Sequence, residues 1–129
     1  MARKSRRVDM MVGAIAFASS VFASEECLSG ETGEVVYNKY CSVCHSVEPN
    51  RNKLGPSLSG VVGRKSASIR NYNYSEPMRA LETTWTPEKL DQYLTSPGKM
   101  VPGTRMTFPG LPNENERKHL IAYLSTLSG

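Results

Sequence analysis

Cysteine and histidine are both scarce in this chain, with three of the first and two of the second among 129 residues. Cys41, Cys44 and His45 fall within one five-residue stretch, so only Cys27 and His119 remain elsewhere. A structural zinc centre needs about four such ligands, usually in two pairs, and the second pair is missing. A redox-active Cys-x-x-Cys pair calls for a strand–helix–strand setting, whereas the flanks here carry helix and loop patterns. The sequence also lacks an apolar run that crosses a bilayer comfortably, since Met10–Ala23 spans 14 residues where about 20 are needed. No internal repeat or low-complexity tract is visible.

A strong charge of one sign is lacking as well, once the first residues are set apart. Met1–Asp9 carries Arg3, Lys4, Arg6 and Arg7 ahead of the apolar run, which ends in Val21-Phe22-Ala23. That layout predicts a secretory signal over residues 1–23, removed by cleavage, with an uncleaved membrane anchor as the weaker reading. Ser5-Arg6-Arg7 resembles the start of a twin-arginine signal, and the export route stays open. Cleavage leaves 106 residues bearing 12 basic and 11 acidic side chains, against 16 and 12 in the whole chain. The formal charge of +4 is therefore largely the leader's, and binding to nucleic acid or to an anionic membrane loses its support. A mobile acidic segment, 24–32, is expected before a single domain, 33–129. Cys27 lies in that segment as the odd cysteine. Ser24-Glu25-Glu26 before it does not suit lipidation, so the expectation is a monomer with a free thiol, or a dimer bridged through Cys27.

What is present is Cys41-Ser42-Val43-Cys44-His45. Two thiols separated by two residues can reach the two vinyl groups of one porphyrin, and the imidazole directly after them can ligate its iron; this is the attachment signature of c-type haem. A domain of this size forms only a modest core by itself, and a buried porphyrin would add apolar mass. A metal-bound histidine needs its second ring nitrogen held, commonly by a backbone carbonyl. The stiff Gly55-Pro56 turn is a candidate to supply one. Arg64, Tyr72, Tyr74 and Trp85 are polar-tipped side chains able to pair with haem propionates, which are costly to bury unpaired.

The remaining pattern is helical, interrupted by loops. Thr32 can cap a helix from Gly33 that delivers the chain to Cys41, with Tyr37 read as core. Pro49, Gly55, Pro56 and Gly60 make Glu48–Ser59 a loop. A short helix is expected with Ser75 as cap and Pro77 in its first turn. A better one opens at Thr86-Pro87-Glu88, carries Leu90, Tyr93 and Leu94 on one face, and stops at Pro97-Gly98. Lys99–Pro112 reads as loop. The last helix has Asn113 as cap, Glu116 as its capping-box partner, and an apolar stripe of Leu120, Tyr123, Leu124 and Leu127.

One histidine leaves a second axial position to fill. A thioether there favours ferrous iron and raises the potential, whereas an open site invites oxygen, nitric oxide or peroxide chemistry. The candidates after the leader are Met78, Met100, Met106 and His119. His119 sits in the polar part of its helix, and Met78 and Met100 read as packing residues. Met106 sits 61 residues after His45, on a loop pinned by prolines such as Pro102 and long enough to cross the opposite haem face.

Taken together, the haem motif, Gly55-Pro56-Ser57-Leu58-Ser59-Gly60, Gly63-Arg64-Lys65, Trp85, the run Pro97–Phe108 and Leu120-Ile121-Ala122-Tyr123-Leu124 resemble class I cytochrome c of the mitochondrial and alphaproteobacterial type. Val101-Pro102-Gly103-Thr104-Arg105-Met106 is the most specific piece after the haem motif. The resemblance implies an all-α fold whose first and last helices cross near Gly33 and Tyr123 around one covalently bound haem c. It also implies Met106 as the iron's distal ligand and the Pro56 carbonyl on His45. Tyr74 and Trp85 would bind one propionate with Arg64 nearby, Thr104 would lie near the other, and Tyr93 would sit close to the Met106 sulfur. The implied function is one-electron transfer in the periplasm between a membrane quinol-oxidising complex and an oxidase or similar acceptor, with no catalytic residue and no small-molecule substrate. Partners would dock at a haem edge ringed by Lys53, Lys99 and Arg105. That ring is thin, because Val35 and Gly98 stand where relatives have basic residues, and a shallow salt dependence of docking is expected. Met78 stands where relatives commonly have asparagine. The competing functions are a peroxidase-like or gas-binding haem protein with Met106 displaced, and a cytochrome subunit of a larger oxidoreductase.

Overall fold

The computed structural model describes residues 31–128 together with Gly13. Apart from Gly13, the expected leader lies outside the described residues, and so does Cys27. The described residues form five helices: α1 Gly33–Tyr40, α2 Glu76–Ala80, α3 Pro87–Thr95, α4 Pro97–Met100 and α5 Glu114–Ser125. Their starts follow side-chain chemistry. Thr32, Ser75, Thr86 and Asn113 each accept a hydrogen bond from a backbone N–H of the first turn, which an uncapped helix would leave without a partner. Ahead of α1, Thr32 acts as its cap and Glu31 faces Lys39 Nζ at 3.4 Å.

The framework is the crossing of α1 and α5, the most extensive helix contact in the fold. It is close because Gly33 has no side chain: a Cβ there would collide with the His119 carbonyl oxygen and lie 2.6 Å from the Tyr123 Cβ. Val36 and Tyr37 from α1 and Leu120, Ile121 and Leu124 from α5 are buried around this crossing, joined by Leu90, Tyr93 and Leu94 from α3. The Tyr37 and Tyr123 rings meet with centroids 5.8 Å apart. Among the described residues pairing of the β type is limited to one isolated bridge, Lys65 with Thr84. Bonds from Gly63 N–H to the Trp85 carbonyl and from Trp85 N–H to the Arg64 carbonyl, both 2.8 Å, extend it and set Arg64 beside Trp85. The described residues form an all-α fold, as the resemblance implies.

Two local expectations change. Pro97-Gly98 does end α3, but Pro97 then opens the single turn of α4, because a proline at the first helical position lacks only an N–H that the helix would not use. The loop therefore begins at Val101. Asn113 caps α5 through bonds from the N–H groups of Asn115 and Glu116. The Glu116 carboxylate lies 3.8 Å from Lys39 Nζ, linking α5 to α1 across the crossing.

Candidate cofactor site

The stretch 41–45 continues directly from α1. Cys41 N–H donates to the Tyr37 carbonyl at 2.8 Å, and Cys44 and His45 N–H groups donate to the Cys41 carbonyl at 3.1 and 2.9 Å. This tight turn sets both thiols and the imidazole on one wall of a cavity of about 740 Å³, within the range typical of cofactor sites. Burial pushes the Cys41 thiol up to about 11, with Cys44 adding to the shift. It therefore stays a thiol near neutrality instead of an easily oxidised thiolate.

His45 is clamped on three sides. Its Nδ1 lies 2.7 Å from the Pro56 carbonyl oxygen, and its own carbonyl accepts a 2.7 Å bond from the Tyr37 hydroxyl. Gly55 passes so close to the ring that a Cβ would lie 2.7 Å from Nδ1 and 2.9 Å from Nε2. Burial holds the imidazole below its usual pKa range, outweighing the Pro56 carbonyl, with Arg64 and Lys53 adding their charge. A neutral imidazole with one nitrogen held by a carbonyl is ready to ligate a metal through the other. Gly55→Ala is expected to force the ring off the Pro56 carbonyl and to destabilise the holoprotein by about 1–3 kcal/mol through overpacking. Guanidinium unfolding against the parent protein checks this, and an unchanged midpoint would show that the ring can give way.

Thr104–Phe108, within the loop Val101–Asn113, forms another wall. Met106 lines the cavity, and its Sδ accepts a 3.4 Å hydrogen bond from the Tyr93 hydroxyl. Burial raises the Tyr93 pKa against an opposing hydrogen bond involving Thr104, so the hydroxyl remains a donor. Thr104 Oγ1 in turn accepts from the Met106 N–H at 3.2 Å. Met78 also borders the cavity, whereas Met100 packs against the core and His119 is exposed.

Between these walls lie Arg64, Tyr72, Tyr74 and Trp85. The two terminal nitrogens of Arg64 donate to the Ser59 and Ser57 carbonyls at 2.7 and 3.0 Å. Its Nε is buried without a partner among the described residues, and burial lowers the guanidinium pKa. An orphaned charged donor on a cavity wall is costly unless an anion meets it. Carboxylates on an otherwise apolar cofactor answer that need, and haem has this chemistry. Trp85 is buried with its ring 5.0 Å from that of Tyr93, and Tyr74 stacks edge-on with Tyr72 at 4.8 Å. The Tyr72 hydroxyl donates to the Leu54 carbonyl at 2.8 Å, tying the loop after His45 to the stretch before α2.

All ten residues that the sequence assigns to the cofactor line this one cavity: Cys41, Cys44, His45, Pro56, Arg64, Tyr74, Trp85, Tyr93, Thr104 and Met106. Two features escape sequence patterns. Tyr37, whose helical spacing marks it as core, is also a donor to His45. Val43 and Leu54 are apolar and 77% and 78% exposed, and Leu54 also lines the cavity; apolar residues inside the Cys-x-x-Cys spacing and in a loop ahead of Gly-Pro are the signal that could have marked them. Of the expected basic rim, Lys53 Nζ donates to the Ser42 carbonyl at 2.6 Å and Arg105 Nη1 to the Asn73 carbonyl at 3.0 Å, while Lys99 is exposed.

Comparison with known proteins agrees with this geometry. A family model described as cytochrome c matches residues 30–128. Cytochrome c-554 of Methylosinus trichosporium is 42% identical over 123 residues, which cover 93% of this chain and 92% of the relative. Cytochrome c2 of Rhodomicrobium vannielii is 37% identical over 127 residues, 98% of each chain. Cytochrome c2 of Rhodopila globiformis is 46% identical over 95 residues, covering 74% of this chain and 90% of the relative. A family match over residues 30–128 and relatives 37–46% identical over most of their length agree with the residues gathered in the cavity: the chain belongs to the class I cytochrome c family.

Proposed function

We propose that this protein carries single electrons in the periplasm, between a membrane quinol-oxidising complex and an oxidase or similar acceptor, with His45 and Met106 as the axial ligands of its haem. Membership of the family makes the chain a monohaem electron-transfer protein, with one haem c attached at Cys41 and Cys44. What bound haem supplies is a one-electron couple whose potential a soft thioether ligand raises. The observation that carries the ligand reading is a single cavity lined by both His45 and Met106, each with a hydrogen bond to its donor side chain.

The protein's own residues hold and tune the site in this reading. The Pro56 carbonyl fixes the His45 ring, and the Tyr93 hydroxyl steadies the Met106 thioether. Arg64, Tyr74 and Trp85 would hold one propionate, and Thr104 would lie near the other. With both axial positions filled no substrate site is needed. Partners would dock at the haem edge near Lys53, Lys99 and Arg105, with Val43 and Leu54 as exposed apolar side chains that can contribute to the contact. A small contact with few charges suits brief, weak docking with shallow salt dependence. Residues 1–23 serve as a cleaved export signal, 24–32 as an acidic segment and 33–129 as the haem domain. Among the described residues no helix is long and apolar enough to cross a membrane.

Carbon monoxide and cyanide test the carrier reading. The purified ferric protein is expected to show a methionine-to-iron absorption band and to bind cyanide slowly at neutral pH, and the ferrous form to resist carbon monoxide. Rapid binding of both without that band would instead make the protein a gas-binding or peroxidase-like haem protein.

A further inference from the structure

Arg117 lies outside the cavity lining, yet it is the one charged residue buried among the described residues, at 8% exposure. Three bonds leave its guanidinium. Nε donates to Asp91 Oδ1 on α3 at 2.8 Å, and Nη1 donates to the carbonyls of Leu111 and Pro112 at 2.8 and 3.0 Å. Those two carbonyls end the loop that carries Met106.

The loop's near end is held by buried Val101, whose N–H donates to the Pro97 carbonyl at 2.9 Å. At the far end, the described hydrogen bonds from 107–112 to the body are Leu111 N–H to the Leu94 carbonyl, 2.7 Å, and the two accepted from Arg117. We infer that Arg117, aligned by Asp91, is a positioning residue that sets how readily the Met106 loop lifts away from the haem face. Lifting the loop strips a buried guanidinium of two acceptors, and a buried charged donor without partners is strongly disfavoured. Asp91 fixes the plane of the fork, so both carbonyls are met at once. Lysine cannot replace it, because an ammonium lacks the flat array of donors that reaches a carboxylate and two carbonyls together.

This inference rests on Met106 being the distal ligand, and the test separates the two. Ferric holoprotein is mixed with imidazole at neutral pH, and the binding rate reports loop opening, since imidazole can bind only where Met106 has left. Arg117→Lys is expected to bind about tenfold faster, the effect of losing a hydrogen bond to a charged group, and Asp91→Asn a few-fold faster. Glu114→Gln removes an exposed ion pair to Lys118 on the same helix, 2.6 Å long, and should bind at the parent rate. A merely structural role would lower the denaturant midpoint of the Asp91 and Arg117 variants and leave their imidazole rates in plain buffer unchanged; that result overturns the inference. Should Arg117→Lys fail to accumulate as holoprotein, the half-exposed Asp91 position decides alone. A parent protein without the methionine-to-iron band overturns the ligand reading and this inference with it, whereas a normal parent band with unchanged variant rates overturns this inference only.

Discussion

Met106→Ala is expected to abolish the ferric methionine-to-iron band, to lower the reduction potential on the order of 0.1 V or more within the roughly 0.8 V that axial ligands span, and to let cyanide bind quickly. The thioether is a soft, neutral ligand that favours ferrous iron, and alanine offers nothing in its place. The geometry makes the effect specific to this methionine. Met106 lines the cavity and accepts from Tyr93, while Met100 packs on the core away from it. Met100→Ala should therefore keep the band and lose only packing. Met78 is the informative control, because it borders the same cavity from α2. A spectrum unchanged in Met106→Ala but altered in Met78→Ala or Met100→Ala would move the ligand to that residue. Visible absorption and a redox titration of the three variants read every outcome.

Gly33→Ala is expected to destabilise the protein by at least about 3 kcal/mol, at the upper end of overpacking effects, and to lower Tm by roughly 12 °C or more in a domain of this size. The added Cβ has nowhere to go. It meets a backbone carbonyl of α5, at His119, and the Tyr123 Cβ beyond it, so no flexible side-chain end can swing aside. Relief requires α1 to move off α5. An eight-residue helix is not stable alone, and α1 depends on this contact for its order. Because α1 runs directly into Cys41, a shifted α1 also displaces the haem-attachment turn, and a lower yield of holoprotein should accompany the lost stability. Gly98→Ala supplies the comparison, since a Cβ at Gly98 meets nothing within 4 Å; it should unfold close to the parent midpoint. Equal midpoints for the two variants would mean that the helix crossing can widen at little cost.

The two effects act at different levels. Gly33 governs whether the two framework helices can approach, and so whether a cavity forms. Met106 governs what the formed cavity does to the iron. Tyr37 connects them, since it is buried in the crossing and its hydroxyl holds the His45 carbonyl at 2.7 Å.

Local chemistry was legible in the sequence because it depends on neighbours a few positions apart. The caps Thr32, Ser75, Thr86 and Asn113, the turn Cys41–His45 and the proline-pinned stretch around Met106 all announce themselves by residue type and spacing, and covalent haem follows from five consecutive residues. The one-turn helix α4 was missed because Pro97-Gly98 signals the end of α3 as strongly as it permits a new start. What only the tertiary structure decided are meetings between segments that residue type and spacing do not bring together: Gly55 against the His45 ring, the Tyr37 hydroxyl on the His45 carbonyl, and Arg117 on the Leu111 and Pro112 carbonyls. No periodicity encodes these, because each depends on how two elements cross. The buried Arg117 shows the reason most clearly: in sequence it is one more charge on the polar side of a helix, and only the approach of α3 and the loop end turns that charge inward.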